Sequence, residues 1–361
     1  MPRRVAFILP SFAGGGAERV LLTLAGLADR AAITPEIIVL NGDGPWRSLV
    51  PGGVPVTDLR KAGIRKALPA LARALRRSRP DIALSTIGAL NLGLLAIAPL
   101  LPRGLRILVR EANTPHRHAE SAVGRRAYRW MYRLLYRRAA CAIVPASYLK
   151  RELVEDFGVR ADKIVLLRNP VDEQGLRAAA LPLARAPGAG TRFVAVGRLV
   201  RQKGFDRLLD FMAKADAAAH LAILGDGPDR TALEASGRAS GLQSRVMFHG
   251  FAADSARYIA AADALLLPSR WEGLPNVALE ALALGTPVIA TPEAGGIAEI
   301  AALAAPNAVT MASAGPDFIA AMAKIAPHPA EQARPSMLPA PFKPASVAEE
   351  FMRLITEKSA A

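Results

Sequence analysis

Apolar runs of four to seven residues recur along this chain, separated by longer segments with a helical spacing of apolar and polar positions. In the first half RVAFILP, PEIIVLN, VPVTDL, DIALSTI, RILVRE, CAIVPA and KIVLLRN read as strands. Helical segments lie between them: one from Ala17, an Arg-rich one near residues 66–79, one after Gly88, one through 121–139 and one from Tyr148. A stretch rich in Pro, Ala and Gly follows at 169–190 and reads as a linker. The pattern then restarts with TRFVAVGRL, HLAILGDG, RVMFHGF, ADALLLPS and PVIATP, again with helices between. Repeated strand–helix units imply parallel sheets covered by helices on both faces. The expected architecture is α/β, two doubly wound domains facing across a cleft, with ligands at the carboxyl ends of the strands.

The domain boundaries follow from this rhythm. Residues 1–168 form an N-terminal domain and 169–345 a C-terminal one, with a separate final helix at 346–361. Residues 301–345 show no firm periodicity. The closing SVAEEFMRLITEK is amphipathic and is expected to start at a capping box of Ser346 and Glu349. A length of 361 residues is too great for one ordinary core, which agrees with two domains.

Two features test for a membrane or an export context. The stretch Ile82–Leu101 is uncharged, but Gly88, Gly93 and Pro99 interrupt it, so a buried strand and helix describe it better than a span. The apolar run at the N-terminus is too short for a secretory signal. The lone Cys141 rules out a disulfide framework. The expectation is a cytoplasmic protein.

Charge changes that picture. The chain carries a net +15, and residues 1–168 hold 28 Lys and Arg against 12 Asp and Glu. The remainder is close to neutral, with 18 against 19. In GRRAYRWMYRLLYRR, Arg125, Arg129, Arg133 and Arg137 recur every four residues, with Tyr128, Tyr132 and Tyr136 beside them. Trp130, Met131, Leu134 and Leu135 are expected to point inward. With RKALPALARALRRSR, this helix suits an anionic membrane surface, the inner face of the cell membrane. A solvated charged face is the plainer alternative. Aromatic content of 5% is too low for base-stacking platforms, so nucleic acid is not an expected partner.

The densest chemistry lies in EGLPNVALEALALGTPVIA, residues 272–290. Pro275 suits a helix start and Gly285 a helix stop. Glu272 then lies in the preceding loop and Glu280 in the second turn, on either side of a helix N-terminus that favours an anion. Two carboxylates for hydroxyl pairs with a phosphate between them would suit a nucleotide-sugar. The plainer reading is a dipole-favoured Glu272 and a solvated Glu280. VAVGRLVRQKGFDRLL places Arg198 and Lys203 between Gly197 and Gly204 just after a strand, where two cations can hold a diphosphate or simply face solvent. Gly14, Gly15 and Gly16 form a similar strand-to-helix loop. LGDGPDR and FHGF are further loops of this kind. The chain contains no D-x-D pair, and His116 and His118 have no second ligand pair nearby, so no metal site is expected.

GGGAERV, VGRLVRQKGFDRLL, ILGDGP, FHGF, PSRWEGLPNVALEALALGTPVIAT and GGIAEI occur in an order and spacing that resemble the retaining glycosyltransferases of family 4. The resemblance spans about residues 5–300 and implies the GT-B fold of two Rossmann-like domains. It implies that Arg198 and Lys203 bind the donor diphosphate and stabilise it as it leaves. Glu272 would hold hydroxyls of the donor sugar, aided by the backbone of Gly273, Leu274, Pro275, Asn276 and Val277. Glu280 would hold the ribose. Gly227 and the loop of His249, Gly250 and Phe251 would flank the base, and Gly15 and Gly16 would approach the donor phosphate and the acceptor. Many members have a His at the end of a strand in the first domain. Here Arg110 and Glu111 stand in that place, and a contact to the transferred sugar falls to them.

The expected function is therefore a retaining, metal-independent transferase. It would move a hexose or N-acetylhexosamine from a UDP-linked sugar to a lipid-linked glycan or polysaccharide, with no cofactor. The competing class is a non-catalytic basic membrane- or nucleic-acid-binding protein with a vestigial site. Intact Arg198, Lys203, Glu272 and Glu280 argue against it. The first domain would bind the acceptor and face the membrane, the second would bind the donor, and the last helix is expected to cross back to the first.

Overall fold

The structure is a computed structural model that describes residues 2–115, 122–180, 190–252, 254–328 and 334–357. The chain divides into two compact units. One comprises Met1–Pro170 together with Pro344–Ala361, and the other Val171–Lys343.

The first unit is built on seven strands: β1 (Arg3–Ser11), β2 (Ile33–Asn41), β3 (Val56–Asp58), β4 (Ile82–Thr86), β5 (Arg106–Arg110), β6 (Cys141–Val144) and β7 (Ile164–Leu166). They are parallel in the order β3-β2-β1-β4-β5-β6-β7. The order reverses beside β1, where Phe7 pairs with Ile37 on one side and Leu84 on the other. Five helices follow the first strands: α1 (Gly16–Leu27), α2 (Ile64–Ser78), α3 (Gly88–Ile97), α4 (Ala122–Leu135) and α5 (Ser147–Glu155). Side chains alternate across a strand, so Ala6, Ile8, Ala83 and Val109 pack toward α2, α3, α4 and α5. Val5, Phe7, Leu9 and Leu84 face the opposite layer, which holds α1.

The second unit opens with α6 (Glu173–Ala179) and then alternates β8 (Arg192–Val196), α7 (Phe205–Lys214), β9 (His220–Leu224), α8 (Arg230–Ala239), β10 (Val246–Gly250) and α9 (Ser255–Ala261). It continues with β11 (Ala264–Leu267), α10 (Asn276–Ala283), β12 (Val288–Ala290), α11 (Ile297–Leu303), β13 (Val309–Met311) and α12 (Pro316–Ala323). The six strands are parallel in the order β10-β9-β8-β11-β12-β13, with the reversal beside β8. The last helix, α13 (Pro344–Thr356), belongs to the first unit. Its Val347, Phe351 and Ile355 are buried in the layer with α1, and the Phe351 ring lies 6.1 Å from that of Phe7.

Each strand expected from the apolar runs is present, and the uncharged stretch is β4 followed by α3. Among the described residues no helix is long and apolar enough to cross a membrane. Three local expectations are corrected. The stretch from 169 is not a plain linker, since Asp172 caps α6 by accepting from the Gly175 N–H at 2.9 Å. Arg177 on that helix donates to the carbonyls of Ala283 and Arg334. Residues 301–345 contain β13 and α12, whose Phe318 is buried; the strand has three residues, too few to register as a pattern. The final helix starts at Pro344, so Ser346 and Glu349 lie inside it and form no capping box at its start.

The largest correction concerns α4. Tyr132 and Tyr136 are buried and Tyr128 partly so, while Trp130, Met131 and Leu134 are exposed, Trp130 by 71%. The phenol rings carry more apolar area than their hydroxyls suggest, and the Tyr136 hydroxyl finds a polar partner inside, the Glu111 carboxylate. Tyr132 stacks on Tyr136 with ring centres 4.5 Å apart and packs on Phe157 at 4.8 Å. His116 and His118 lie outside the described residues, as does the side chain of Arg125.

Candidate functional site

In the second unit two loops after neighbouring strands are fastened together. The chain leaves β8 through Gly197, makes a 3-10 turn at Arg201–Lys203 and enters α7 at Gly204. Gly204 has φ +69°, and a Cβ there would sit 2.1 Å from the carbonyl oxygen of Pro268. Only glycine permits that approach. The Arg270 N–H donates to the Gln202 carbonyl, and the Arg270 guanidinium forks onto both oxygens of Asp206 while also donating to the Arg201 carbonyl. The hydrogen bonds from Arg270 hold the Asp206 carboxyl below its ordinary range.

This fastening delivers Lys203 to Glu272. The Lys203 Nζ lies 2.6 Å from Glu272 Oε1, and the Glu272 side chain is only 7% exposed. The Ser269 hydroxyl donates to the same oxygen at 2.8 Å, and the Gln202 amide donates to the Trp271 carbonyl and to Glu272 Oε2. Thr291 in turn donates to the carbonyl of Ser269. Glu272 is therefore a fixed acceptor, held by three side chains from two loops. Pro275 is the residue before α10, one place earlier than the first-turn expectation, and Gly285 ends the helix with φ +78°. Glu280 lies half-buried in the second turn.

The neighbouring loops lie at the same carboxyl edge of the sheet. A Cβ at Gly225 would sit 1.9 Å from the Gly197 carbonyl oxygen, and one at Gly227 would sit 2.4 Å from that of Leu199. The Leu199 N–H donates to the Asp226 carbonyl, and the Gly225 N–H to that of Gly250. Gly250 has φ +75°, His249 is exposed with its ring 4.8 Å from that of Tyr258, and Phe251 is 49% exposed. Arg198 stands exposed at the head of its loop, and its side chain has no partner among the described residues. The expected Arg198–Lys203 pair is thus unequal: Lys203 is committed to Glu272, and Arg198 faces solvent.

The first unit has its own polar cluster at the carboxyl ends of β1, β4 and β5. Gly15 precedes α1, its carbonyl accepts from the Trp46 indole at 3.0 Å, and a Cβ on it would strike the Glu18 carboxylate. Arg110 and Glu111 are both buried. Arg110 donates to Asn169 and, at 3.5 Å, to Thr86. Glu111 accepts from the Asn91 amide at 2.8 Å and from the Tyr136 hydroxyl. Asn91 also donates to the Arg110 carbonyl and accepts from Ser85. Burial pushes the Glu111 carboxyl up to about 7 against the bonds from Tyr136 and Asn91, and lowers Arg110 to about 10 against the charges of Glu111 and Glu18.

The sequence-expected residues thus sit in two clusters: Lys203 with Glu272, ahead of α10, and Arg110 beside Glu111. Ser269, Gln202, Asn91, Asn169 and Trp46 escaped the sequence reading, and Tyr136 entered it only beside the arginines of α4. Each acts on a partner in a separate segment or through a rotamer, so no local spacing exposes it. Asn91, an amide inside an otherwise apolar helix, is the exception that sequence could have flagged.

Comparison with known proteins identifies the family. The family Glycosyltransferase Family 4 matches residues 14–174, and Glycosyl transferases group 1 matches residues 190–326. The lipopolysaccharide core biosynthesis glycosyltransferase LpsE of Rhizobium meliloti is 28% identical over 291 residues, covering 78% of this chain and 77% of its own. A diphospho-undecaprenol-directed 4-alpha-N-acetylgalactosaminyltransferase of Campylobacter jejuni is 25% identical over 197 residues, covering 54% and 53%. Among solved structures, Anabaena HepE in complex with UDP and glucose superposes with a TM-score of 0.79 at 18% identity, covering 98% of this chain and 99% of HepE. With a family 4 domain in its first unit, a group 1 domain in its second and the two Rossmann-like sheets of GT-B, the chain belongs to the glycosyltransferases.

Proposed function

We propose that the chain is a retaining hexosyl- or N-acetylhexosaminyltransferase that takes its donor as a UDP-sugar and acts without a metal ion. The observation that carries this reading is the Lys203–Glu272 pair, held by Ser269 and Gln202 just ahead of the α10 N-terminus. In it a cation for a leaving phosphate and an acceptor for sugar hydroxyls are already side by side. Arg198, exposed at the loop head, meets the diphosphate first. The start of α10 and Lys203 then share the charge that develops as the sugar–phosphate bond breaks. Glu280 takes the ribose hydroxyls, and the loops at Gly227 and His249–Phe251 take the base. In the first unit Gly15 and Gly16 approach the donor phosphate and the acceptor, and Arg110 and Glu111 orient the transferred sugar.

The acceptor in this reading is a lipid-linked glycan or polysaccharide of a cell-envelope pathway, met by a peripheral protein at the inner face of the membrane. The name of LpsE and the lipid-diphosphate acceptor named for the Campylobacter relative support that class, as does the basic balance of residues 1–168. A panel of nucleoside diphosphates tests the donor. UDP should raise the melting temperature of the parent and not of Glu280→Ala, whereas equal shifts from GDP and ADP would overturn the choice of base. Release of UDP from UDP-hexoses and UDP-N-acetylhexosamines, with the anomer of the product read by NMR, tests the donor sugar and retention.

A further inference from the structure

α4 turns the wrong face outward for a helix that merely completes a core. Tyr132 is fully buried, and at about 100° per residue Trp130 and Leu134 lie nearly opposite it. Both point away from the sheet, 71% and 51% exposed, with Met131 beside them at 40%. Exposed Arg126, Arg133 and Arg137 flank that apolar ridge. Arg129 is partly engaged, 3.4 Å from Asp156.

The ridge does not stand alone. α2 and α4 sit on the same side of the first sheet, with α3 packed between them. The outer face of α2 carries exposed Arg73 and Arg77, and Leu100, just past α3, is 56% exposed. One face of the unit thus combines a Trp-led apolar ridge with two rows of arginine. The occupant must accept indole and leucine side chains and offer many negative charges.

We infer that this face seats on the interface of an anionic lipid bilayer, with Trp130, Met131 and Leu134 entering the headgroup–acyl boundary and the arginines meeting lipid phosphates. The ridge supplies anchorage and the arginines supply selectivity for anionic lipid. The inference deepens the peripheral placement proposed above and rests on it, but not on the transfer reaction.

Flotation with vesicles of phosphatidylglycerol and phosphatidylcholine in equal parts, and with phosphatidylcholine alone, tests it. The parent should float with the anionic vesicles, and its tryptophan emission should shift to the blue. Trp130→Phe should still float but lose most of that shift, which assigns it to Trp130 rather than to Trp46 or Trp271. Trp130→Ser with Leu134→Ser should weaken binding by roughly tenfold or more for each anchor lost. Both side chains are exposed, so that variant should keep the parent's melting temperature and its stabilisation by UDP. If it floats like the parent, or if the parent's emission does not move, the ridge is no anchor. If the parent instead forms a lipid-free dimer that the double variant lacks, a second copy covers the face and the inference falls. Loss of the UDP shift in a parent that still floats would strike the donor reading and leave this one standing.

Discussion

Lys203 and Glu272 meet at 2.6 Å although 69 residues separate them, and the carboxylate is the more buried partner. Removing the ammonium leaves a carboxylate with little access to water, so stability and transfer should both suffer. Lys203→Gln should lower turnover by about a hundredfold, the size of one lost transition-state cation, and destabilise the fold by ~1–3 kcal/mol. Lys203→Glu should be worse on both counts, because it sets two carboxylates together. Turnover and urea midpoints measured on the same preparations check this, and near-normal turnover in either variant removes Lys203 from the chemistry.

Metal dependence is a second test. Transfer should persist in excess EDTA, since Arg198, Lys203 and the α10 start are read as meeting the phosphate charge. Loss of activity that manganese or magnesium restores would show that a divalent ion does that work.

Glu111 predicts a pH effect with a definite sign. Its folded value of about 7 lies above the ordinary carboxylate range, so between the two values the folded chain holds a proton that the unfolded chain has released. Its contribution is fully present below the unfolded value and is lost as pH rises through 7. From pH 5 to 8 the loss is on the order of 2 kcal/mol. Glu111→Gln should not show this loss, so its urea midpoint should fall less than the parent's over that range. Parallel profiles for the two proteins would mean that Glu111 is not protonated in the fold.

Phe351 tests the returning helix. Its ring is fully buried against Phe7, and Phe351→Ala should destabilise the first unit by ~3–5 kcal/mol. Thermal unfolding should then separate into two transitions, with UDP stabilisation retained by the later one. A single unshifted transition would show that α13 adds little to this core.

Most of the framework is legible in the sequence. Strands buried on both faces write their position as continuous apolar runs, and GFD and EGLPNVALEALALG announce turns and a helix through glycine and proline. Side-chain direction was harder to read. α4 offered two apolar stripes, one of tyrosines and one of Trp130, Met131 and Leu134, and a hydropathy argument buries the second. The fold buries the first because its rings stack on one another and the Tyr136 hydroxyl reaches Glu111. The same limit hid the commitment of Lys203 to Glu272, which depends on Gly204 admitting the Pro268 carbonyl.

The return of α13 also bears on synthesis. Residues 171–343 are a contiguous insertion, and their ends are joined by a 3.0 Å bond from the Val171 N–H to the Phe342 carbonyl. Both crossings are marked by proline, Pro170 and Pro344. A ribosome therefore translates the whole inserted unit before it makes the helix that covers Phe7. The usual N-terminal-first order is inverted: the later-encoded unit can close first, and the earlier one waits with an apolar face exposed for its last segment. Because the insertion holds its own ends together, it adds little closure entropy to that final docking.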